Sequence, residues 1–183
     1  PDLARDSDGT AEPPRRLWTP IARPNLMVKI PGTVEGAPVI RETLAEGINI
    51  NVTLLFSIEA YERVANAYIA ALEQRVAEGK PVDHIASVAS FFVSRVDTLV
   101  DRLLNEQIAD TEDPRDKKAL EELRGKAAVA NAKLAYAKFE ELFSGPRWEA
   151  LKAAGARPQR PLWASTGTKN PDYPDTLYVD TLI

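Results

Sequence analysis

Four short apolar runs, each separated from the next by a longer amphipathic stretch, constrain this chain more than any other feature. Strands that alternate with helices run parallel, because the chain must cross back over the sheet before the next strand can point the same way. The first run, residues 26–30, has Pro24-Asn25 before it and Pro31-Gly32 after it, which is turn chemistry at both ends. The second, 48–55, is rich in β-branched residues, as a strand buried on both faces should be. Runs at 85–93 and 161–166 complete the set. The clearest helix begins at Ser57 as its N-cap. It buries Tyr61, Val64, Ala65, Tyr68, Ile69, Leu72 and Val76 at three-and-four spacing, and Gly79 ends it. A second helix from about Ser94 is expected to bury Val96, Leu99, Val100, Leu103 and Leu104, with Arg102, Asn105 and Glu106 in water. Residues 114–143 read as helical with a break at Gly125, and 146–154 as a short helix. Pro13 and Pro14 suit only the first turn of an N-terminal helix that buries Leu17, Trp18 and Ile21. The expected order is αβαβαβαβ. With no internal repeat and no Gly/Ser linker, 1–183 reads as a single domain.

Composition removes several classes. Hydrophobic residues make up 44% and charged residues 27%, enough apolar surface for a globular core, and Cys is 0, which excludes a disulfide scaffold. No apolar run approaches the roughly 18 residues of a membrane span, and residues 1–16 are too polar for a signal peptide, so a cytoplasmic location is expected. A pI near 5.2 with acids and bases interleaved argues against a nucleic-acid surface while permitting a local cationic pocket for a small anion. The lone His84 lies before a strand without a ligand cluster, so no metal is expected, and there is neither a glycine-rich phosphate loop nor a GxSxG elbow. The only Met is Met27, from which Pro1 is expected not to be a natural start. Two architectures fit: an open doubly wound sheet and a (β/α)8 barrel. A full barrel takes about 250 residues, so four strands make about half of one, with open edges that invite self-association.

Polar residues in such strands carry information, because burying them unpaired is costly. In 48–55, Ile50, Val52 and Leu54 share one face, and Asn49, Asn51 and Thr53 share the other. The amide and hydroxyl groups of Asn51 and Thr53 suit the orientation of a polyol, or else they satisfy neighbouring backbone. Lys29 lies two residues before Pro31, at the carboxyl end of the first strand, where barrel active sites sit. Among Met27, Val28 and Ile30 it should be desolvated, which favours the free amine that attacks a carbonyl; the alternative is a lysine that reaches solvent or pairs with a carboxylate. Arg95 follows Ser90, Phe91, Phe92, Val93 and Ser94 where a helix can begin, and a guanidinium at a helix N-terminus makes a phosphate cradle. The last strand ends in Ser165-Thr166-Gly167-Thr168-Lys169-Asn170, again hydroxyls followed by a cation. A surface Arg or Lys after a strand is usually just solvated, so each of these cations alone is a weak signal; four strands that all end in polar chemistry are a stronger one.

Three stretches resemble the transaldolases: Val28-Lys29-Ile30-Pro31-Gly32-Thr33, the run from Gly47 through Asn51 and Thr53 to Ser57, and Ala86-Ser87-Val88-Ala89-Ser90-Phe91-Phe92-Val93-Ser94-Arg95. A fourth, Trp163-Ala164-Ser165-Thr166-Gly167-Thr168-Lys169-Asn170-Pro171, is similar to the following strand of bacterial members. The resemblance covers the whole chain. It implies an α/β fold, a (β/α)8 TIM barrel of class I aldolase type, of which these residues form strands 4 to 7 of a partial domain lacking the first three strands and the last. It further implies that Lys29 forms a Schiff base with a ketose phosphate, that Asn51 and Ser90 hold hydroxyls of the dihydroxyacetone unit, and that Thr53 holds the catalytic water. Phe92 would dry the pocket, Arg95 would bind the phosphate, and Ser165 and Lys169 would assist it.

No cofactor is implied, and the implied partners are sugar phosphates, not nucleic acid or membrane. The implied reaction transfers dihydroxyacetone from sedoheptulose 7-phosphate to glyceraldehyde 3-phosphate in the non-oxidative pentose phosphate pathway. Family members also use a glutamate on the third strand, with an aspartate and an asparagine on the first two; none of those strands is in this sequence. Two rivals therefore stand beside it: a lysine-dependent aldolase that releases dihydroxyacetone, and an inactive or complementing piece of a barrel. Pro20 departs from the family pattern and should end or kink its helix.

Overall fold

The computed structural model describes residues 7–21 and 23–182. Along the chain run α1 (Ser7–Ile21), β1 (Val28–Pro31), α2 (Gly36–Ala45), β2 (Ile50–Leu55), α3 (Ile58–Ala77), β3 (Ser87–Phe92), α4 (Ser94–Asp110), α5 (Pro114–Glu121), α6 (Ala127–Leu142), α7 (Gly145–Ala153), β4 (Arg160–Ala164) and α8 (Leu177–Leu182). The strands form one sheet in the order β1-β2-β3-β4, and β1/β2 and β2/β3 are parallel. This is the α/β architecture of a partial (β/α)8 barrel, as expected. The chain divides into two compact units, one running through Phe91 and taking in Ala135–Leu162, the other Phe92–Leu134 with Trp163–Ile183. No helix among the described residues is long and apolar enough to cross a membrane.

The core of the first unit follows from the twofold alternation of strand side chains. Val28, Ile30, Ile50, Val52, Ala89 and Phe91 are buried on one face of the sheet. The neighbouring helices contribute Val39, Ile40 and Leu44 from α2 and Tyr61, Val64, Ala65, Tyr68, Ile69 and Leu72 from α3, also buried. Full burial of each large apolar side chain contributes about 1.5–3 kcal/mol, so this face is where the sheet's stability is concentrated. The stripe on α3 is the expected one, except that Val76 is exposed. Ser57 caps α3 as expected, its Oγ accepting from Ala60 N at 3.2 Å.

Three expectations are corrected. Leu54 does not share the face of Ile50 and Val52: it has φ +62°, the β2/β3 register shifts between Val52 and Leu55, and Leu55 takes the core position while Leu54 is 40% exposed. Pro13 and Pro14 lie inside α1, which begins at Ser7; among the helix's described side chains Pro14 is buried and Trp18, one turn on, is half-buried, whereas Leu17 and Ile21 are exposed. Pro20 does sit at the end of this helix, which stops at Ile21. The helix that the αβαβαβαβ order requires between the first two strands is α2. On α4, Leu99 and Leu103 are exposed, and the buried face carries Ser94, Asp97, Asp101 and Leu104. Carboxylates displace leucines there because each finds two hydrogen-bond donors. Asp97 accepts from Ala128 N (2.7 Å) and Tyr178 OH (2.7 Å), and Asp101 from Gly125 N (3.0 Å) and Tyr173 OH (2.6 Å). Gly125, with φ +68°, forms the anticipated break between α5 and α6.

Arg75 is the charged group most deeply engaged in the first unit. It is buried, and its guanidinium donates to Ala45 O (2.8 Å) at the end of α2 and twice to Pro81 O (2.9 and 3.0 Å). Arg75→Met keeps much of the stem's packing but leaves both carbonyls without that donor. It should lower unfolding free energy by about 2–4 kcal/mol in urea denaturation. An unchanged midpoint would remove this role.

Candidate active site

The face of the sheet opposite the α2/α3 core carries the residues singled out on β1, β2 and β3. Lys29 is the register partner of Asn51, and Pro31 of Thr53, so Lys29, Asn51 and Thr53 project to the same side. Ser90, buried on β3, donates its hydroxyl to Asn51 Oδ1 at 2.7 Å. That bond fixes the amide's orientation and leaves Asn51 Nδ2 as a donor with no partner among the described residues. Thr53 is half-buried beside it.

Asn49, read as part of the same polar stripe, is otherwise engaged: its side chain donates to Pro24 O (3.4 Å) and accepts from Ala86 N (2.8 Å). It is buried and ties backbone before the strand begins, one bond through each end of its amide.

Lys29 departs from its expectation in one respect. Within the described residues it is exposed, not desolvated among Met27, Val28 and Ile30. Alternation is the reason: Val28 and Ile30 turn into the core, and the same geometry sends Lys29 to the open face.

In the second unit, α4 begins at Ser94, so Arg95 occupies a helix's first turn as the sequence suggested. Its guanidinium carbon lies 4.9 Å from the centroid of the Phe92 ring, a cation–π contact that limits where the exposed head group can go. Ser165 is tied to the same helix start. Ser94 N donates to Ser165 O (2.9 Å), Val93 N donates to Ala164 O (2.9 Å), and the Ser94 and Ser165 hydroxyls are hydrogen-bonded at 2.9 Å. Ser165 has φ +57°, a conformation that non-glycine residues adopt at a cost. Lys169 does not join Arg95 and Ser165 in any hydrogen bond. It is exposed and lines a cavity of about 590 Å³ with Ser94, Asp101, Arg102, Asn170 and Tyr173. His84, in the first unit, is exposed and faces Asp83 Oδ1 at 3.3 Å.

Chemically, the first unit offers an amine, an oriented amide and two hydroxyls along one strand register, and the second offers a guanidinium at a helix start beside a hydroxyl. A family model described as transaldolase/fructose-6-phosphate aldolase matches residues 1–183. The chain belongs to this family. It is 57% identical over 186 residues to a transaldolase of Thermobifida fusca (strain YX), covering 100% of this chain and 48% of that protein. It is 51% identical over 183 residues to a transaldolase of Trichodesmium erythraeum (strain IMS101) and 55% identical to one of Saccharopolyspora erythraea, again over its whole length and 48% and 47% of theirs. The chain thus spans about half the length of the curated relatives it matches.

Sequence reasoning missed one group in this transaldolase-family chain: Asp97, Asp101, Tyr173 and Tyr178. The available signal was the spacing of Ser94, Asp97, Asp101 and Leu104, which puts two acids on one helix face. Burial first, and then the hydrogen bond to Asp101, push the Tyr173 phenol up to about 12; Tyr178 is raised for the same kinds of reason, through Asp97. An unfolded tyrosine ionises near about 10, so the native state keeps these protons where the unfolded chain loses them. Their stabilisation is therefore complete below about pH 10 and is lost as pH rises from about 10 towards 12 and beyond. Urea midpoints measured across that window should fall, and Tyr173→Phe should make the decline shallower. An identical decline in the variant would contradict the assignment.

Proposed function

We propose that this chain carries the amine, the hydroxyl-binding groups and the phosphate-binding groups of a cytoplasmic transaldolase. That enzyme moves a dihydroxyacetone unit from sedoheptulose 7-phosphate to glyceraldehyde 3-phosphate in the non-oxidative pentose phosphate pathway. The observation that carries the reading is the register of Lys29 with Asn51, together with the Ser90 hydroxyl held on the Asn51 amide at 2.7 Å.

In this reading the Lys29 amine adds to the ketose carbonyl, giving a carbinolamine that loses water to become an iminium. The cationic nitrogen draws the electron pair of the bond between the adjacent hydroxyl-bearing carbon and the carbon after it; that second carbon's own hydroxyl gives up its proton and becomes the carbonyl of the departing aldose phosphate. A three-carbon enamine stays on Lys29, adds to the carbonyl carbon of the acceptor aldose phosphate, and hydrolysis frees the new ketose. Asn51 Nδ2 and the Ser90 hydroxyl hold substrate hydroxyls, and Thr53 holds the water that relays protons. Phe92 excludes solvent, and Arg95 binds the phosphate with help from Ser165 and Lys169. No organic cofactor or metal enters.

Because Lys29 is exposed among the described residues, the rest of the water-poor cavity, and the carboxylates that move protons, would come from the additional length the relatives possess. A second reading, release of free dihydroxyacetone, is favoured by the family description itself, which joins transaldolase with fructose-6-phosphate aldolase. Product analysis with and without an acceptor aldose separates the two, free dihydroxyacetone as the main product in its presence counting against transfer.

Borohydride reduction in the presence of fructose 6-phosphate should fix a three-carbon adduct on Lys29. Lys29→Met should abolish the adduct and lower kcat/KM by at least about a thousandfold. A label mapped to another lysine would overturn the assignment. Arg95→Ala should raise KM for fructose 6-phosphate about 10- to 100-fold, the loss of one charge-assisted contact, with a smaller effect on kcat.

A further inference from the structure

Between Ser165 and Tyr178 the chain contains a single cation, Lys169, and this segment is fastened to α4 at both ends. At one end are the Ser94–Ser165 hydroxyl pair and the Ser94 N–Ser165 O bond. At the other, Tyr173 OH donates to Asp101 Oδ2 at 2.6 Å, while Asp101 Oδ1 accepts from Gly125 N at 3.0 Å. The segment between is braced internally, since Tyr173 N donates to Asn170 O (3.2 Å) and Asp172 N to Asn170 Oδ1 (3.0 Å). Room for the tyrosine is built in. A Cβ at Gly125 would lie 3.0 Å from Tyr173 Cζ, and the φ of +68° there disfavours a side chain as well. Asp101 is buried, so without Tyr173 its carboxylate would lose one of two donors in a site that water reaches poorly.

We infer that Asp101 and Tyr173 are positioning residues for substrate phosphate: their hydrogen bond holds the 165–173 strap against α4, so that Ser165 and Lys169 meet the same phosphate group as Arg95. The inference rests on the reading of the site given above and deepens it. Arg95 is carried by α4 itself and Ser165 by the strap's first residue, whereas Lys169 stands midway between the two fastenings. Its flexible stem would otherwise sample a wide arc of solvent, and an ammonium restrained near its binding position loses less entropy on contact. Because the latch touches no reacting atom, losing it should weaken binding of the phosphorylated sugar and leave the chemical step alone.

The test uses the intact protein and compares fructose 6-phosphate with unphosphorylated fructose as donor. Tyr173→Phe should raise KM for fructose 6-phosphate about 5- to 10-fold with kcat within about twofold, and should leave kcat/KM for fructose unchanged. Asp101→Asn, which retains an acceptor for Gly125 N and an amide to meet the tyrosine hydroxyl, should recover most of the affinity that Asp101→Ala loses. Tyr173→Phe combined with Asp101→Ala should raise KM no more than Asp101→Ala alone. Tyr178→Phe removes the parallel bond to Asp97 beyond the strap, and should lower stability without the phosphate-dependent change in KM. Equal losses with both donors in Tyr173→Phe, or an unchanged KM for fructose 6-phosphate, would overturn the inference. Borohydride trapping at Lys29 in the wild type and in Tyr173→Phe separates the two claims. Trapping in both without the KM change defeats the latch alone, and no trapping in the wild type defeats the underlying reading.

Discussion

The parallel sheet can bury only one of its faces beneath α2 and α3, and the placement of every polar group proposed for the site on the first three strands depends on that asymmetry. Val28, Ile30, Ile50, Val52, Ala89 and Phe91 take the helix side, so strand geometry commits Lys29, Asn51, Thr53 and Ser90 to the other. The site is thus a consequence of core formation. Moving Lys29 to the opposite face would require a one-residue slip that also exposes Val28 and Ile30, so core burial alone holds Lys29 in the register that the proposed function needs. The bulge at Leu54 protects this arrangement at the strand's end, returning Leu55 to the core while the chain turns towards Ser57.

Polar groups are used in three ways. Asn49, Arg75 and Asp97 spend their hydrogen bonds on backbone or on a buried tyrosine, and so fix the scaffold. Asn51 is half committed, accepting from Ser90 while keeping a donor to present. Lys29, Arg95 and Lys169 are exposed head groups whose usefulness depends on how their surroundings restrain them. For Arg95 the restraint is the Phe92 ring, and for Lys169 it is the strap fastened at Ser165 and Tyr173.

What could be read from the sequence was what local periodicity controls. The strands, the α3 stripe with its Ser57 cap, and the Gly125 break all follow from patterns within about ten residues. The misread features depend on partners far along the chain or on backbone angles. Asp97 and Asp101 are buried because donors 24 to 81 residues away reach them, which no helical-wheel argument detects. Leu54 carries a positive φ with no glycine to signal it, and α2 opens on Gly36 and Pro38, which resemble a loop until the helix is seen. Lys29 lies on the expected strand, but its neighbours in sequence are not its neighbours in space, because alternation puts them on opposite sides.

The central claim is that Lys29, Asn51 and Ser90 form one substrate-facing row. Its most direct test is a crystal structure of the intact protein after borohydride reduction with fructose 6-phosphate. The account requires continuous density from Lys29 Nζ into a three-carbon unit whose hydroxyls lie within about 3.2 Å of Asn51 Nδ2 and Ser90 Oγ. Density on a different lysine, or hydroxyls directed away from both side chains, would contradict it.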